Sequence, residues 1–452
     1  MDPLVVQFRK FKENRVIRNS FYGAIQFIVP LLLLLGLTPV FIHKMGTENY
    51  GLWMVATSAL GLMGIAEFGL NTAISKFVAE FVESRNTDAL SAVVSTGMAA
   101  YILLGIVLIV PLYIFSPALA GIFKPSEAIS EEQIGAVIRI MSLGFIPLLL
   151  RSGAMAIPVG LQRFRVPVIV IIIYQLTSYI AALAIVFLRG SVAQIVESTV
   201  AVLWITALGS LFVAWRMLQP FHLKFIIIGS REVLRRLFSF TLASGLTALG
   251  SLIFGFADRL AVGAVLGLDA VAYYTVIVSV AAKILQLSGS LAGALMPAVS
   301  TWMASGNIQR VRAYFSKATL ILLGLNTLIA GTLLVLSGPL LRLWLGVAFA
   351  DHVLVPFRIL IVVYALISLD APAYNVATGI GHPGINALTG ITGGCLMVVL
   401  IFVLGHSLGL LGAALANGAY LVSLFVIGYV YLQINRIIKQ TPIGIKKQEL
   451  GL

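Results

Sequence analysis

Apolar stretches of bilayer length recur along the chain from Tyr22 to Tyr431, separated by short polar connections. A helix crossing the hydrocarbon core needs roughly 20 mostly apolar residues. The pattern predicts twelve such spans, near 20–42, 50–75, 90–115, 134–160, 166–188, 196–217, 238–262, 270–297, 317–336, 354–380, 384–405 and 408–432. A transmembrane β-barrel would instead alternate in segments of about 10 residues. No connection is long enough for a soluble catalytic domain. The expected fold class is an all-α polytopic membrane protein.

Short matches recur at a nearly constant offset. Gly46 and Gly267 are 221 residues apart, as are Ser84-Arg85-Asn86 and Ser305-Gly306-Asn307; Gly160 and Gly379 are 219 apart. The offset predicts two six-helix bundles in the same orientation, a parallel pseudo-two-fold repeat about an axis along the membrane normal. The expected organisation is a basic cytoplasmic segment 1–19, a first bundle 20–217, a cytoplasmic linker 218–237, a second bundle 238–432 and a cytoplasmic tail 433–452. Two such halves enclose a cavity, and rocking one against the other exposes it to each side in turn.

Composition agrees. Of 452 residues, 60% are hydrophobic and 10% charged, against about 25% charged in soluble domains. The net charge of +13 is explained by topology rather than by a nucleic-acid partner. With the N-terminus inside, 21 of the 30 Lys and Arg residues fall in cytoplasmic segments, as the positive-inside rule requires. The segment Leu4–Arg18 mixes apolar and basic residues; it reads as a topology signal or as an interfacial helix on anionic headgroups. The single cysteine, Cys395, forms neither an intrachain disulfide nor a metal-ligand spacing. No nucleophile elbow, P-loop or zinc motif is present, so the chain is expected to be neither an enzyme nor ATP-driven.

Six ionisable residues fall inside predicted spans: Glu67, Arg151, Asp258, Arg259, Lys283 and Asp370. Such groups are expensive in hydrocarbon and are functional candidates by default. Arg151 precedes Arg163 by 12 residues, a depth of about 18 Å along a helix. Its planar fork suits phosphate or carboxylate. It is a candidate for binding an anionic head group, or for a structural pair with Asp370, 219 residues later. Lys283 is a cavity cation or the partner of a carboxylate. Glu67, Asp258 and Asp370 are candidates for coupling to H⁺ or Na⁺ or for gating, with helix packing and interfacial anchoring as the plainer readings. Adjacent Asp258 and Arg259 do not face each other on a helix and are expected to pair elsewhere. Asp370 precedes Ala371-Pro372, where a kink is expected.

Several of these residues lie in recognisable stretches. Met45-Gly46-Thr47-Glu48-Asn49-Tyr50-Gly51-Leu52-Trp53 and Glu67-Phe68-Gly69-Leu70-Asn71-Thr72-Ala73-Ile74-Ser75-Lys76 resemble the polysaccharide exporter and flippase family. So do Ala257-Asp258-Arg259, Leu266-Gly267, Tyr273-Tyr274 and Pro297-Ala298-Val299-Ser300. The family typically carries Asp at the place of Glu67 and Arg at that of Lys76, both charge-conserving changes. It belongs to the superfamily of multidrug extruders, oligosaccharidyl-lipid flippases and the lipid II flippase. The resemblance implies a flippase for a polyprenyl-pyrophosphate-linked oligosaccharide, acting in O-antigen or other surface polysaccharide synthesis at the cytoplasmic membrane. A cationic cavity would receive the pyrophosphate, with Arg151, Lys283 and Arg259 as candidates. Implied partners are membrane lipids and a polysaccharide polymerase with its chain-length regulator. No cofactor beyond a coupling H⁺ or Na⁺ is implied. The alternatives are a cation-coupled drug antiporter of the same superfamily and a non-transporting assembly subunit.

Overall fold

The structure, a computed structural model, describes residues 25, 27–62, 64, 67, 69–123, 129–221, 235–237, 241 and 253–440. The basic segment 1–19, most of the 218–237 linker, much of the seventh predicted span and the tail beyond 440 lie outside the described residues. All regular structure among the described residues is helical. Chain packing separates two compact units, Met1–Thr275 and Val276–Leu452. The expected bundles divide instead at the linker; residues 253–275 pack with the first unit, where the helix at Thr47–Leu62 meets them.

The first unit contains α1 (Phe27–Met45), α2 (Thr47–Leu62), α3 (Leu70–Glu83), α4 (Thr87–Ile114), α5 (Glu131–Ser142), α6 (Phe145–Gly160), α7 (Arg165–Phe187), α8 (Val192–Leu218), α9 (Asp258–Leu266) and the start of α10 (Leu268–Ala292). α6 is the hub and packs against α3, α4, α7 and α8. Its sequence explains this. In a membrane there is little hydrophobic drive between helices, so close approach rests on small residues and interhelical hydrogen bonds. α6 presents Ser152, Ala156 and Gly160 one turn apart. The Asn71 amide donates to the Ser152 carbonyl (3.1 Å) and hydroxyl (2.8 Å), and the Ser75 hydroxyl to the Ala156 carbonyl (3.1 Å). A Cβ on Gly160 would lie 2.6 Å from the Ser75 carbonyl oxygen. Capping boxes at Ser130/Gln133 and Ser191/Gln194 start α5 and α8, each satisfying backbone N–H groups that a helix start leaves open.

The second unit continues α10 and adds α11 (Leu295–Ala304), α12 (Ile308–Leu345), α13 (Val347–Ile367), α14 (Ala371–Gly379), α15 (Gly384–Leu408), α16 (Leu410–Ala416) and α17 (Phe425–Gln440). A 3₁₀ turn, Ser368–Asp370, separates α13 from α14 at the expected kink. Its interior is apolar around Val299, Val311, Phe315, Val376 and Val430. In both units large apolar side chains stay exposed, including Leu103, Ile114, Ile180, Ile205, Leu320, Leu328 and Val335. A hydrocarbon solvent removes the cost of that exposure.

The internal repeat is present as repeated local geometry. Asn86 caps α4 by accepting from Ala89 N–H, and Asn307 caps α12 by accepting from Arg310 N–H. Arg139 Nε donates to Ser116 Oγ (3.2 Å) and Arg358 Nε to Ser337 Oγ (3.0 Å). Gly160 abuts Val78 and Ser75; Gly379 abuts Val299 and Met296. Gly46 and Gly267 both hold positive φ, 82° and 93°. Every pair keeps the offset of 219 to 221 residues.

Ten helical stretches among the described residues are long and apolar enough to cross a membrane. Of the twelve expected, the seventh is mostly undescribed. The second is broken: α2 ends at Leu62 and α3 begins at Leu70, with Gly69 at φ 80° between them. Gly61, Gly64 and Gly69 favour such a break, and Glu67 sits in it. The ninth span is far longer than expected, with α12 running 38 residues.

Candidate substrate cavity

A cavity of about 730 Å³ lies in the first unit. α2 contributes Trp53, Met54 and Thr57. Gly61, Gly64 and Glu67 line the break, and Asn71 starts the next wall. α6 supplies Arg151, Ser152 and Met155, and α7 supplies Tyr174, Gln175, Ser178 and Tyr179. Volume and lining are of the kind that hold a ligand: mostly apolar walls with a few convergent polar groups.

Arg151 is the dominant charge. Its guanidinium carbon lies 4.2 Å from the centroid of the Tyr174 ring, a cation–π stack that fixes the plane of the fork. One of its terminal nitrogens is buried with no hydrogen-bond partner in the protein. So are Nε1 of Trp53 and Oε1 of Gln175, from two further walls. Ser178 Oγ on the same lining is a fourth; buried polar atoms are ordinarily paired, so this cluster suits polar groups from outside the chain. Glu67 lines the same space and accepts a long hydrogen bond from Tyr101 Oη, 3.4 Å.

The other sequence candidates lie elsewhere. Asp258 is buried in the first unit, where Oδ2 accepts from Tyr274 Oη (3.0 Å) and Oδ1 from Arg259 N–H (2.8 Å). Arg259 Nη1 donates to the Gly255 carbonyl, 2.6 Å. Neither lines the cavity. In the second unit, Lys283 Nζ donates to Gln286 Oε1, 2.9 Å. Asp370 is buried at the 3₁₀ turn, next in sequence but one to a buried chain of hydrogen bonds in which Ser288 donates to Asn326 and Asn326 to Ser368 (2.9 and 2.7 Å). Charge alone drew attention to Arg151 and Glu67. It missed Trp53, Asn71, Ser152, Tyr174, Gln175 and Tyr179. The signal was there for α7: Tyr174, Gln175, Ser178 and Tyr179 fall in a helix otherwise dominated by Ile, Val and Ala, and their spacing places all four along one strip.

The architecture of the chain is shared with an inward-facing multidrug resistance MATE family transporter of the MOP superfamily (TM-score 0.75, 15% identity, 93% of this chain and 100% of that one). It is shared also with the lipid II flippase MurJ in an inward closed conformation (TM-score 0.71, 14% identity, 93% and 90% covered). The chain belongs to the polysaccharide biosynthesis protein family, whose model matches residues 16–303. Among curated relatives, the uncharacterized membrane protein EpsK of Bacillus subtilis is 22% identical over 400 residues, 88% of this chain and 78% of that one. A Shigella flexneri protein named "Putative O-antigen transporter" is 21% identical over 401 residues, 89% and 94%. The functional names among these relatives and neighbours are those of transporters and a flippase, and none is that of an enzyme.

Proposed function

We propose that the protein is a flippase that carries a polyprenyl-pyrophosphate-linked oligosaccharide from the inner to the outer leaflet of the cytoplasmic membrane by alternating access. It would act in surface polysaccharide or O-antigen synthesis, beside a polymerase and a chain-length regulator, with both termini in the cytoplasm. The observation that carries the reading is Arg151: a permanently charged fork, stacked on Tyr174, with an unpaired buried nitrogen at a cavity of about 730 Å³.

The division of labour follows from solvation. A polyprenyl tail can stay in hydrocarbon throughout. A pyrophosphate and several sugars cannot, because each buried polar group without a partner costs several kcal/mol. Arg151 offers charge-assisted hydrogen bonds to phosphate oxygens. Asn71, Ser152 and Gln175 offer the neutral donors and acceptors that hydroxyl-rich sugars need, and the Trp53, Tyr174 and Tyr179 rings offer faces to stack on. Glu67 on the same lining would hold a proton or Na⁺ in alternation with the substrate. Asp258 and Asp370 are the remaining coupling or gating candidates.

A second reading has one observation in its favour. The carboxylate of Glu67 among Trp53, Tyr174 and Tyr179 would also suit an organic cation, as in a drug antiporter. The test is flipping of a fluorescent polyprenyl-pyrophosphate oligosaccharide in proteoliposomes, with H⁺ and Na⁺ gradients in separate arms and ethidium efflux beside it. Wild type flips the lipid, and Arg151→Ala, shown folded by its thermal transition, loses about tenfold or more of the rate. Arg151→Lys keeps the charge but not the fork and recovers only part. Ethidium transport without lipid flipping would favour the antiporter, and neither activity the assembly role. Full flipping by Arg151→Ala would leave Arg151 structural.

A further inference from the structure

A second cavity, about 630 Å³, lies at the other end of the same unit. It is formed where α1 ends (His43, Lys44, Met45), α2 begins (Asn49, Leu52), α7 ends and turns (Val186, Phe187, Arg189) and α8 begins (Ser191, Val192, Ala193), with Gln133 from α5. Its character differs from that of the first cavity. Two permanent cations, Lys44 and Arg189, line it, and no carboxylate does among the described residues. Both cations are exposed, and Lys44 Nζ sits 5.4 Å from the centroid of the Phe187 ring, which steadies it at the rim. The α8 start contributes Val192 and Ala193 to the wall, in the first turn of a 27-residue helix. Ser191 and Gln194 close a capping box there that pairs their own two N–H groups, so only the N–H groups of Val192 and Ala193 present the positive end of the helix dipole at the cavity wall. Asn49, Gln133 and His43 add polar groups; His43 Nδ1 is engaged by the Pro39 carbonyl at 2.7 Å, so its Nε2 is the nitrogen that remains.

The two cavities are stations along one helix. On α7 the first takes Pro167 to Tyr179 and the second begins at Val186, seven residues or about 10 Å further on. On α2 the order is the same, with Asn49 and Leu52 in the second cavity and Trp53 onward in the first. Trp53 and Tyr179, which line the first cavity, pack with the rings of Phe41 and Tyr50 at centroid separations of 4.9 to 6.2 Å. Phe41, Tyr50 and Trp53 are buried.

We infer that this second cavity is a phosphate-binding site, in which Lys44, Arg189 and the start of α8 hold a phosphate or pyrophosphate group. Two cations, a helix start and, among the described residues, no lining carboxylate select a compact anion rather than a neutral sugar. The phosphate has two available sources: the pyrophosphate of a carried lipid, arriving from the Arg151 cavity, and the headgroup of a bilayer phospholipid. Only the first source rests on the function proposed above.

The test counts bound pyrophosphate by calorimetry on the full-length protein in phosphatidylcholine nanodiscs. Wild type is expected to bind two per chain, Lys44→Gln/Arg189→Gln one, and Arg151→Gln one, with the affinity lost at each altered site weakened about tenfold or more. The two altered cations are exposed, so the double variant is expected to fold; an unchanged thermal transition confirms it. Unchanged stoichiometry and affinity in the folded double variant would overturn the site. Repeating the titration in nanodiscs containing phosphatidylglycerol separates the sources. Displacement of one of the two pyrophosphates assigns the site to a lipid headgroup. Retention of both, with slowed flipping by the double variant, assigns it to the carried substrate. Loss of one site in the double variant without any flipping by wild type would keep this inference and sink the flippase.

Discussion

Adding one methyl group at Gly160 should destabilise the protein, although alanine is the better helix former. Gly160 is the last residue of α6, where α6 touches α3. A Cβ there would lie 2.6 Å from the Ser75 carbonyl oxygen and 2.8 and 2.9 Å from Cγ1 and Cβ of Val78. None of these is the loose end of a flexible side chain, so the helices must separate. Overpacking of this kind costs about 1–3 kcal/mol. Replacing glycine by alanine returns up to about 1 kcal/mol in a helix interior and less at a last residue. The net loss is therefore about 0.5–2 kcal/mol. Gly379, the repeat's counterpart, should behave alike but more mildly: its nearest neighbours are Val299 Cγ1 at 2.8 Å and the Met296 carbonyl at 3.0 Å. Gly324, inside α12, has nothing within 4 Å of an added Cβ, so Gly324→Ala should be neutral or stabilising. Thermal unfolding in detergent would rank the three. A Gly160→Ala protein as stable as Gly324→Ala would refute the claim that α3 and α6 meet as closely as described.

Two further outcomes are expected. Tyr274→Phe removes the hydroxyl that donates to the buried Asp258 carboxylate and should lower stability by about 1–3 kcal/mol, measured by the same thermal transition. Asn326→Leu breaks the chain from Ser288 to Ser368 and should cost about 1–2 kcal/mol, since interhelical hydrogen bonds in membranes average less than 1 kcal/mol each; a stabilised variant would show that the network is not structural.

The spans were legible because hydrocarbon thickness imposes one length on every apolar run. The repeat was legible at Gly46, Asn86 and Gly160 because a left-handed turn, a helix cap and a close helix crossing each admit few residue types. The broken second span was not. Gly61, Gly64 and Gly69 permit a break but do not require one; what the break makes possible, a wall of the cavity and a place for Glu67, depends on α4, α6 and α7. Of the cavity itself, the sequence showed its charges. Arg151 and Glu67 stand out because charge in hydrocarbon is rare. Tyr174, Gln175, Trp53 and Asn71 do not, because a tyrosine or an amide in a span serves equally well to bind helices together. Only their convergence with Arg151 distinguishes the two uses, and convergence is a property of packing.

The cluster of Phe41, Tyr50, Trp53 and Tyr179 has an energetic consequence for the cell. A bundle with two cavities along one helix risks becoming a leak, because a continuous file of water through both would conduct protons. The four rings, three of their four contacts edge to face, fill with bulky carbon the space that such a file would need. With that space filled, wet cavities can stand on either side while the bilayer remains an electrical insulator, and the insulation comes from ring packing rather than from charge.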